Sequence, residues 1–104
     1  MSMTSLSEIR DSLLKLGASR VTMLSRGTDC VILLMEVEGR SFIVALYNGY
    51  VTLYAKIVPQ EHVINPDCSL LMYEPRGLYA FSNDLNELLL NVISKARRLA
   101  RGDR

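Results

Sequence analysis

The fold is decided by residues 30–57, CVILLMEVEGRSFIVALYNGYVTLYAKI. This stretch contains three apolar runs, separated by the pairs Glu38-Gly39 and Asn48-Gly49. A two-residue hairpin turn needs positive φ at both central residues, and Asn-Gly tolerates this best. Glu-Gly gives a similar signal between Val37 and Arg40. The stretch therefore predicts three consecutive antiparallel strands.

The two turns together predict which residues lie opposite one another. Across Glu38-Gly39 the expected pairs are Met35 with Phe42, Leu33 with Val44 and Val31 with Leu46. Across Asn48-Gly49 they are Leu46 with Val51, Val44 with Leu53 and Phe42 with Ala55. Both registers place one apolar set on a single face: Val31, Leu33, Met35, Phe42, Val44, Leu46, Val51, Leu53 and Ala55. A slip of one residue would scramble this set, so we assign that face to the core.

The second face of the predicted sheet is also apolar, with several tyrosines. An antiparallel sheet covered on one side only normally shows polar side chains to water. Either other parts of the chain cover this face, or it is an exposed patch that meets a partner, most often a second copy. We favour the partner and predict a protein interface at Ile32, Leu34, Ile43, Ala45, Tyr47, Tyr50 and Tyr54.

Helices are predicted at both ends of the chain. Residues 5–16 begin with the capping-box spacing of Ser5 and Glu8, and Gly17 can end the helix. Residues 83–101 form the second helix, with Asn83 or Ser82 as its cap. The apolar stripes of both helices predict that they pack on the same sheet face.

The remaining segments are predicted from their turn signals. Residues 20–26 form a strand before the central three, and residues 58–68 form a connection that contains two prolines. Residues 69–74 and 78–81 are predicted as short strands separated by a turn. The fold class is therefore α+β, an antiparallel meander of four to six strands with an N-terminal and a C-terminal helix on one face.

Composition predicts one domain over residues 1–104, because this length can bury a core without staples. The formal net charge of +1 gives no overall bias towards nucleic acid or anionic lipid. No signal-peptide pattern and no apolar run of bilayer length is found, which favours the cytoplasm and no membrane association. The two cysteines, Cys30 and Cys68, are expected to be unreactive or buried thiols, and a disulfide between them is the less favoured alternative in a reducing compartment.

No pattern of catalytic or cofactor-binding residues is found. The glycines are scattered as turn formers, and no zinc, calcium or haem spacing occurs. An enzyme that uses the single histidine, His62, with Glu61 remains only a residual hypothesis. The sequence thus favours a protein that is not an enzyme and holds no cofactor or metal.

The basic C-terminal segment, residues 95–104, offers an alternative function. Arginines on one exposed face can contact phosphates of a nucleic acid. The candidates are Arg97, Arg98, Arg101 and Arg104. Cations at the end of a helix also complement its dipole, and we favour this structural role. The first hypothesis is therefore a protein–protein interaction or scaffolding module, a homodimer or a small subunit of a larger complex; nucleic-acid binding is the alternative.

Overall fold

The chain folds as a five-stranded antiparallel sheet with two long helices on one face, as described by a computed structural model that covers residues 6–27, 29–49 and 51–102. The helices are α1 (Leu6–Leu16), α2 (Cys68–Met72) and α3 (Leu85–Ala100), with a 3-10 turn at Gln60–His62. The strands are β1 (Arg20–Arg26), β2 (Cys30–Val37), β3 (Arg40–Asn48), β4 (Leu53–Pro59) and β5 (Leu78–Ser82). They lie side by side in chain order, so the predicted α+β meander is confirmed.

The hairpin between β2 and β3 has the predicted register. Met35 lies opposite Phe42, and the other two predicted pairs of this hairpin also form. Glu38 and Gly39 both adopt positive φ, at 51° and 80°. The two-residue turn therefore forms where the sequence placed it.

The register predicted for β3 and β4 is wrong. Leu46 lies opposite Ala55 instead of Val51, and Asn48 lies opposite Leu53, so that the two strands are not joined by the predicted two-residue turn. This shift brings Ile57 opposite Val44 and buries it fully. In the predicted register Ile57 would have lain beside Arg40 at the end of the sheet. Burial of apolar side chains outweighs the preference of Asn-Gly for a tight turn.

The shift of four residues is even, so it preserves the faces of the sheet. Leu53 and Ala55 remain on the core face, as predicted. Val51 leaves the sheet and is 89% exposed. The core is built from α1, α3 and this face of the sheet, and its fully buried members include Ile9, Leu13, Leu33, Phe42, Leu88, Val92 and Ile93.

The two long helices start and pack close to where the sequence predicted. The N-cap of α3 is Asp84 instead of the predicted Asn83 or Ser82, and its carboxylate accepts a bond from Glu87 N at 3.0 Å. The predicted cap Ser5 lies outside the described residues. Within α3, Leu88 is buried and Leu90 is half exposed, which fits the predicted apolar stripe.

Residues 69–74 are not a strand. Most of this segment belongs to α2, whose N-cap Asp67 accepts bonds from Ser69 N and Leu70 N at 2.9 and 3.2 Å. Local capping of this kind favours a helical turn. The strand predicted at 78–81 is present as β5, and it pairs with β4.

Candidate functional site

The second face of the sheet is covered by the chain's own residues 60–73, here called the cover segment. Val63, Leu71 and Met72 of this segment pack on that face. Four members of the predicted interface are buried beneath it or beside it: Ile32, Ile43, Ala45 and Tyr47, at 1%, 3%, 0% and 4% exposure. The expectation that this face is uncovered is therefore wrong. The alternative, that other parts of the same chain cover it, is correct. Leu34 and Tyr54 are partly buried, and Tyr50 lies outside the described residues.

A disulfide ties the cover segment to the sheet. It joins Cys30 at the start of β2 to Cys68 at the start of α2, 38 residues apart. Beside it, the Tyr47 hydroxyl donates to the Cys68 carbonyl at 2.6 Å. The expectation of two free thiols is wrong. The sequence offered one signal: Cys30 lies two residues before Ile32 and so shares its face of the sheet, and Cys68 lies in the predicted connection after β4.

Tyr47 is a neutral phenol in this setting. Its pKa is raised to about 12, chiefly by burial and in smaller measure by the neighbouring Tyr54, Tyr79 and Asp67. A buried phenol that donates to a carbonyl has a structural role. Tyr47 therefore belongs to the support of the cover segment and not to a contact surface.

Beyond the cover segment, aromatic rings continue across the second face to the edge of the sheet. This aromatic row consists of Tyr47, Tyr54, Phe81 and Tyr79. Ring centroids lie 4.7 Å apart between Tyr47 and Tyr54, and 6.0 Å apart between Tyr54 and Phe81. Tyr79 and Phe81 follow at 6.2 Å, and the Lys56 ammonium lies 3.8 Å from the centroid of the Tyr79 ring. Phe81 is 59% exposed and Tyr79 is 40% exposed. The outer end of the row is thus an accessible apolar surface.

The stacking of these rings bears on what the row can bind. The Tyr54 ring lies between those of Tyr47 and Phe81, with interplanar angles of 12° and 27°. Nucleobases bind to sheets by stacking on free ring faces. Because both faces of Tyr54 meet neighbouring rings, the middle of the row presents ring edges to the outside. Ring edges and apolar side chains are typical of a protein contact.

The two edges of the sheet differ in chemistry. At one edge, β1 begins and ends with Arg20 and Arg26 and has an irregularity between Met23 and Ser25. Charged residues and bulges are common protections against unwanted strand pairing. At the other edge, β5 reads LYAFS, without a charged residue, and its register with β4 is continuous. The edge at β5 therefore lacks these two protections against strand pairing.

The predicted nucleic-acid residues mostly serve the fold. Arg97 donates to the carbonyl of Leu16 at 3.2 Å, at the C-terminal end of α1. Arg97 and Arg101 both lie near the carboxylate of Glu38, at 3.7 and 3.4 Å. Arg98 is exposed, and Arg104 lies outside the described residues. Binding of nucleic acid by these arginines stays a prediction.

A concave site lies where the last turn of α3 meets the segments around β4 and β5. This arginine pocket has a volume of about 570 Å³, and its lining includes Arg40, Pro59, His62, Arg76, Leu78 and Leu99. Arg40 Nη1 donates to the Leu99 carbonyl at 2.8 Å, and its Nη2 donates to Glu61 at 2.9 Å. The Nη1 atom of Arg76 lies 2.9 Å from His62 Nδ1. His62 and Glu61, the pair named in the residual enzyme hypothesis, each contact an arginine: Arg76 for His62 and Arg40 for Glu61. The sequence did not predict these contacts.

Comparison with protein-family models, curated proteins and solved structures found no match to this chain. None of the helices in the described part of the chain is long and apolar enough to cross a membrane. Within the same described ranges, no group of three or more histidine, cysteine, aspartate or glutamate side chains could hold a metal ion. The physical character of its surfaces is therefore the basis for a functional proposal.

Proposed function

We propose that this protein is an interaction module that associates with a second copy of itself through β5. The observation that carries the proposal is the uncharged, continuous edge strand β5, with Tyr79 and Phe81 exposed beside it. Unprotected edges of this kind pair readily with other strands. The predicted interface on the covered face is replaced here by the outer end of the aromatic row.

A two-fold axis through Ala80 gives antiparallel pairing of β5 with its copy. The axis places Tyr79 opposite the partner subunit's Phe81, and the reverse pair follows from symmetry. Directly opposed aromatic residues stabilise antiparallel strands, and each such pair contributes about 0.5–1.5 kcal/mol beyond its burial. The rings of the two copies would then form one continuous aromatic surface.

The residues that flank β5 suit the same arrangement. Arg76 lies four residues before Ala80 and Asp84 lies four residues after it. Antiparallel pairing about Ala80 therefore brings Arg76 towards the partner subunit's Asp84, so that opposite charges meet at both ends of the strand. Asn91 Nδ2 donates to the Phe81 carbonyl at 3.5 Å, a long bond that main-chain pairing would replace.

The test is to place a charge at the proposed interface and measure the molar mass in solution. Wild type should be a dimer at micromolar concentration by analytical ultracentrifugation, and Phe81→Lys should be a monomer with an unchanged circular dichroism spectrum. The lysine would be desolvated against a second apolar strand, which costs far more than leaving it exposed in the monomer.

The matched control is Leu24→Lys on β1. Leu24 is also an exposed apolar residue of an edge strand, at 42% exposure against 59% for Phe81. This variant should remain dimeric. A monomeric wild type at this concentration, or dissociation by Leu24→Lys as readily as by Phe81→Lys, would show that β5 is not the contact.

A further inference from the structure

The arginine pocket has the size and the walls of a small-molecule site. Its volume of about 570 Å³ lies within the usual range for ligand pockets. Apolar wall is supplied by two prolines and two leucines, and polar wall by the side chains of Arg40, Arg76 and His62. This mixture of apolar wall and a few converging polar groups is typical of a pocket that fixes one end of an organic ligand.

The polar groups of the pocket are hydrogen-bond donors in excess. A guanidinium carries five N–H groups and no acceptor. Among the described residues, Arg40 uses two of its N–H groups to bond the Leu99 carbonyl and Glu61. Arg76 uses two N–H groups to bond His62 and Glu74. Because His62 Nδ1 faces a donor that has no lone pair, the ring proton lies on Nε2, which is then a further donor.

The charge around the pocket favours an anion. Among the described residues, the lining of the pocket includes two arginines, Arg40 and Arg76, and no aspartate or glutamate, because their partners Glu61 and Glu74 lie outside the lining. This local excess of positive charge stands in a chain whose formal net charge is only +1. Positive charge concentrated at a concave site attracts anions and holds them through charge-assisted hydrogen bonds.

The wall formed by the turn before β5 is fixed by its backbone. Gly77 has a φ of +94°, and a Cβ atom there would lie 2.2 Å from the Ile57 carbonyl oxygen. Pro75 precedes it and restricts the turn further. The turn thus presents Arg76 from a defined position, which reduces the entropy lost when a ligand binds.

We propose that the arginine pocket binds a small phosphate monoester, with the phosphate between Arg40 and Arg76 and the organic part against the leucines and prolines. One guanidinium satisfies both oxygens of a carboxylate, whereas a phosphate has three terminal oxygens that can accept from two guanidiniums and a histidine N–H. The arrangement of donors on separate walls therefore suits phosphate better than carboxylate. Arg76 also lies at the end of the contact proposed at β5, whereas Arg40 and His62 belong to the pocket alone.

The experiment is an NMR titration of the full chain with three probes: phenyl phosphate, inorganic phosphate and an oligodeoxynucleotide without terminal phosphate. Phenyl phosphate should shift the resonances of the pocket residues and bind more tightly than inorganic phosphate. Arg76→Gln should weaken its binding about tenfold or more, because a charge-assisted contact is lost. The side chain of Arg76 is 60% exposed, so the fold should tolerate this change.

The matched control is Arg20→Gln on β1, another exposed arginine with a glutamate partner, Glu36, at 3.7 Å. It should bind phenyl phosphate as wild type does. Equal affinity for inorganic phosphate and phenyl phosphate would overturn the proposal, since the apolar wall would then make no contribution to binding the phenyl group. Tighter binding of the oligonucleotide would overturn it in favour of a nucleic-acid surface. Resonances that do not move, or equal weakening by both arginine variants, would also overturn it.

Discussion

Gly77 and Gly39 both adopt positive φ, at +94° and +80°, but their surroundings differ. At Gly77 an added Cβ would lie 2.2 Å from the carbonyl oxygen of Ile57, which belongs to the backbone of β4 and has little freedom to move. At Gly39 no atom lies within 4 Å of the Cβ position. The two glycines therefore separate the cost of backbone conformation from the cost of a steric clash.

Gly77→Ala should lower the free energy of unfolding by about 2 kcal/mol or more, because it adds the clash to the strained φ. Gly39→Ala should cost about 1 kcal/mol, because it adds the strained φ alone. Urea denaturation of both variants measures the difference. Equal losses would mean that the turn at Gly77 relaxes freely away from β4.

At the scale of elements, the cover segment depends on its attachments more than on its own burial. Leu71 is its one fully buried residue among 60–73, while Ile64, Leu70 and Tyr73 are largely exposed. Burial of so few side chains offsets little of the entropy lost by ordering the segment. The disulfide to Cys30 and the bonds donated by Tyr47 and Tyr79 to its carbonyls supply the rest.

The double variant Cys30→Ser, Cys68→Ser should therefore loosen the cover segment before the rest of the molecule. The chain-entropy account of a disulfide that spans 38 residues gives a loss of about 4 kcal/mol, an upper figure for the whole transition. Amide hydrogen exchange should accelerate most in residues 60–73, because the loosened segment exposes the apolar face beneath it. Reduction of the wild type with a dithiol should give the same exchange pattern. Uniform acceleration across all five strands would contradict this account.

The elements also show what the sequence can predict. The β2–β3 hairpin and the apolar stripe of α3 were predictable, because local turn chemistry and burial agree there. The β3–β4 loop was mispredicted since Asn48-Gly49 favours a tight turn, whereas burial of Ile57 requires a wider one. The cover segment was mispredicted because its helix and its disulfide depend on contacts between residues far apart in the chain, which no local pattern records.

At the scale of the whole molecule, the buried phenol of Tyr47 makes the free energy of unfolding depend on pH in the alkaline range. Its pKa is raised from 10.0 to about 12 by burial first, and then by Tyr54, Tyr79 and Asp67. Above pH 10 the unfolded chain loses this proton while the folded chain keeps it, so the unfolded state binds fewer protons. Stability from this source is complete below pH 10 and is lost as the pH rises towards 12.

The free energy of unfolding of the wild type should therefore fall between pH 10 and about 12. Tyr47→Phe should be less stable than wild type at neutral pH, because the bond to the Cys68 carbonyl is lost, yet it should show a shallower fall in this range. Urea denaturation at a series of pH values on both sides of pH 10 measures both effects. Parallel curves for the two proteins would assign the alkaline loss to other groups.

The order of the strands has a consequence for how the chain reaches this structure. Each strand pairs with the one that precedes or follows it in sequence, so the sheet can assemble by closing short loops one after another. Such sequence-local topology shortens the conformational search during folding. As the chain leaves the ribosome, β1 to β4 can pair before Cys68 emerges, and oxidation then joins the sulfur of Cys68 to that of Cys30 on strands that have already paired.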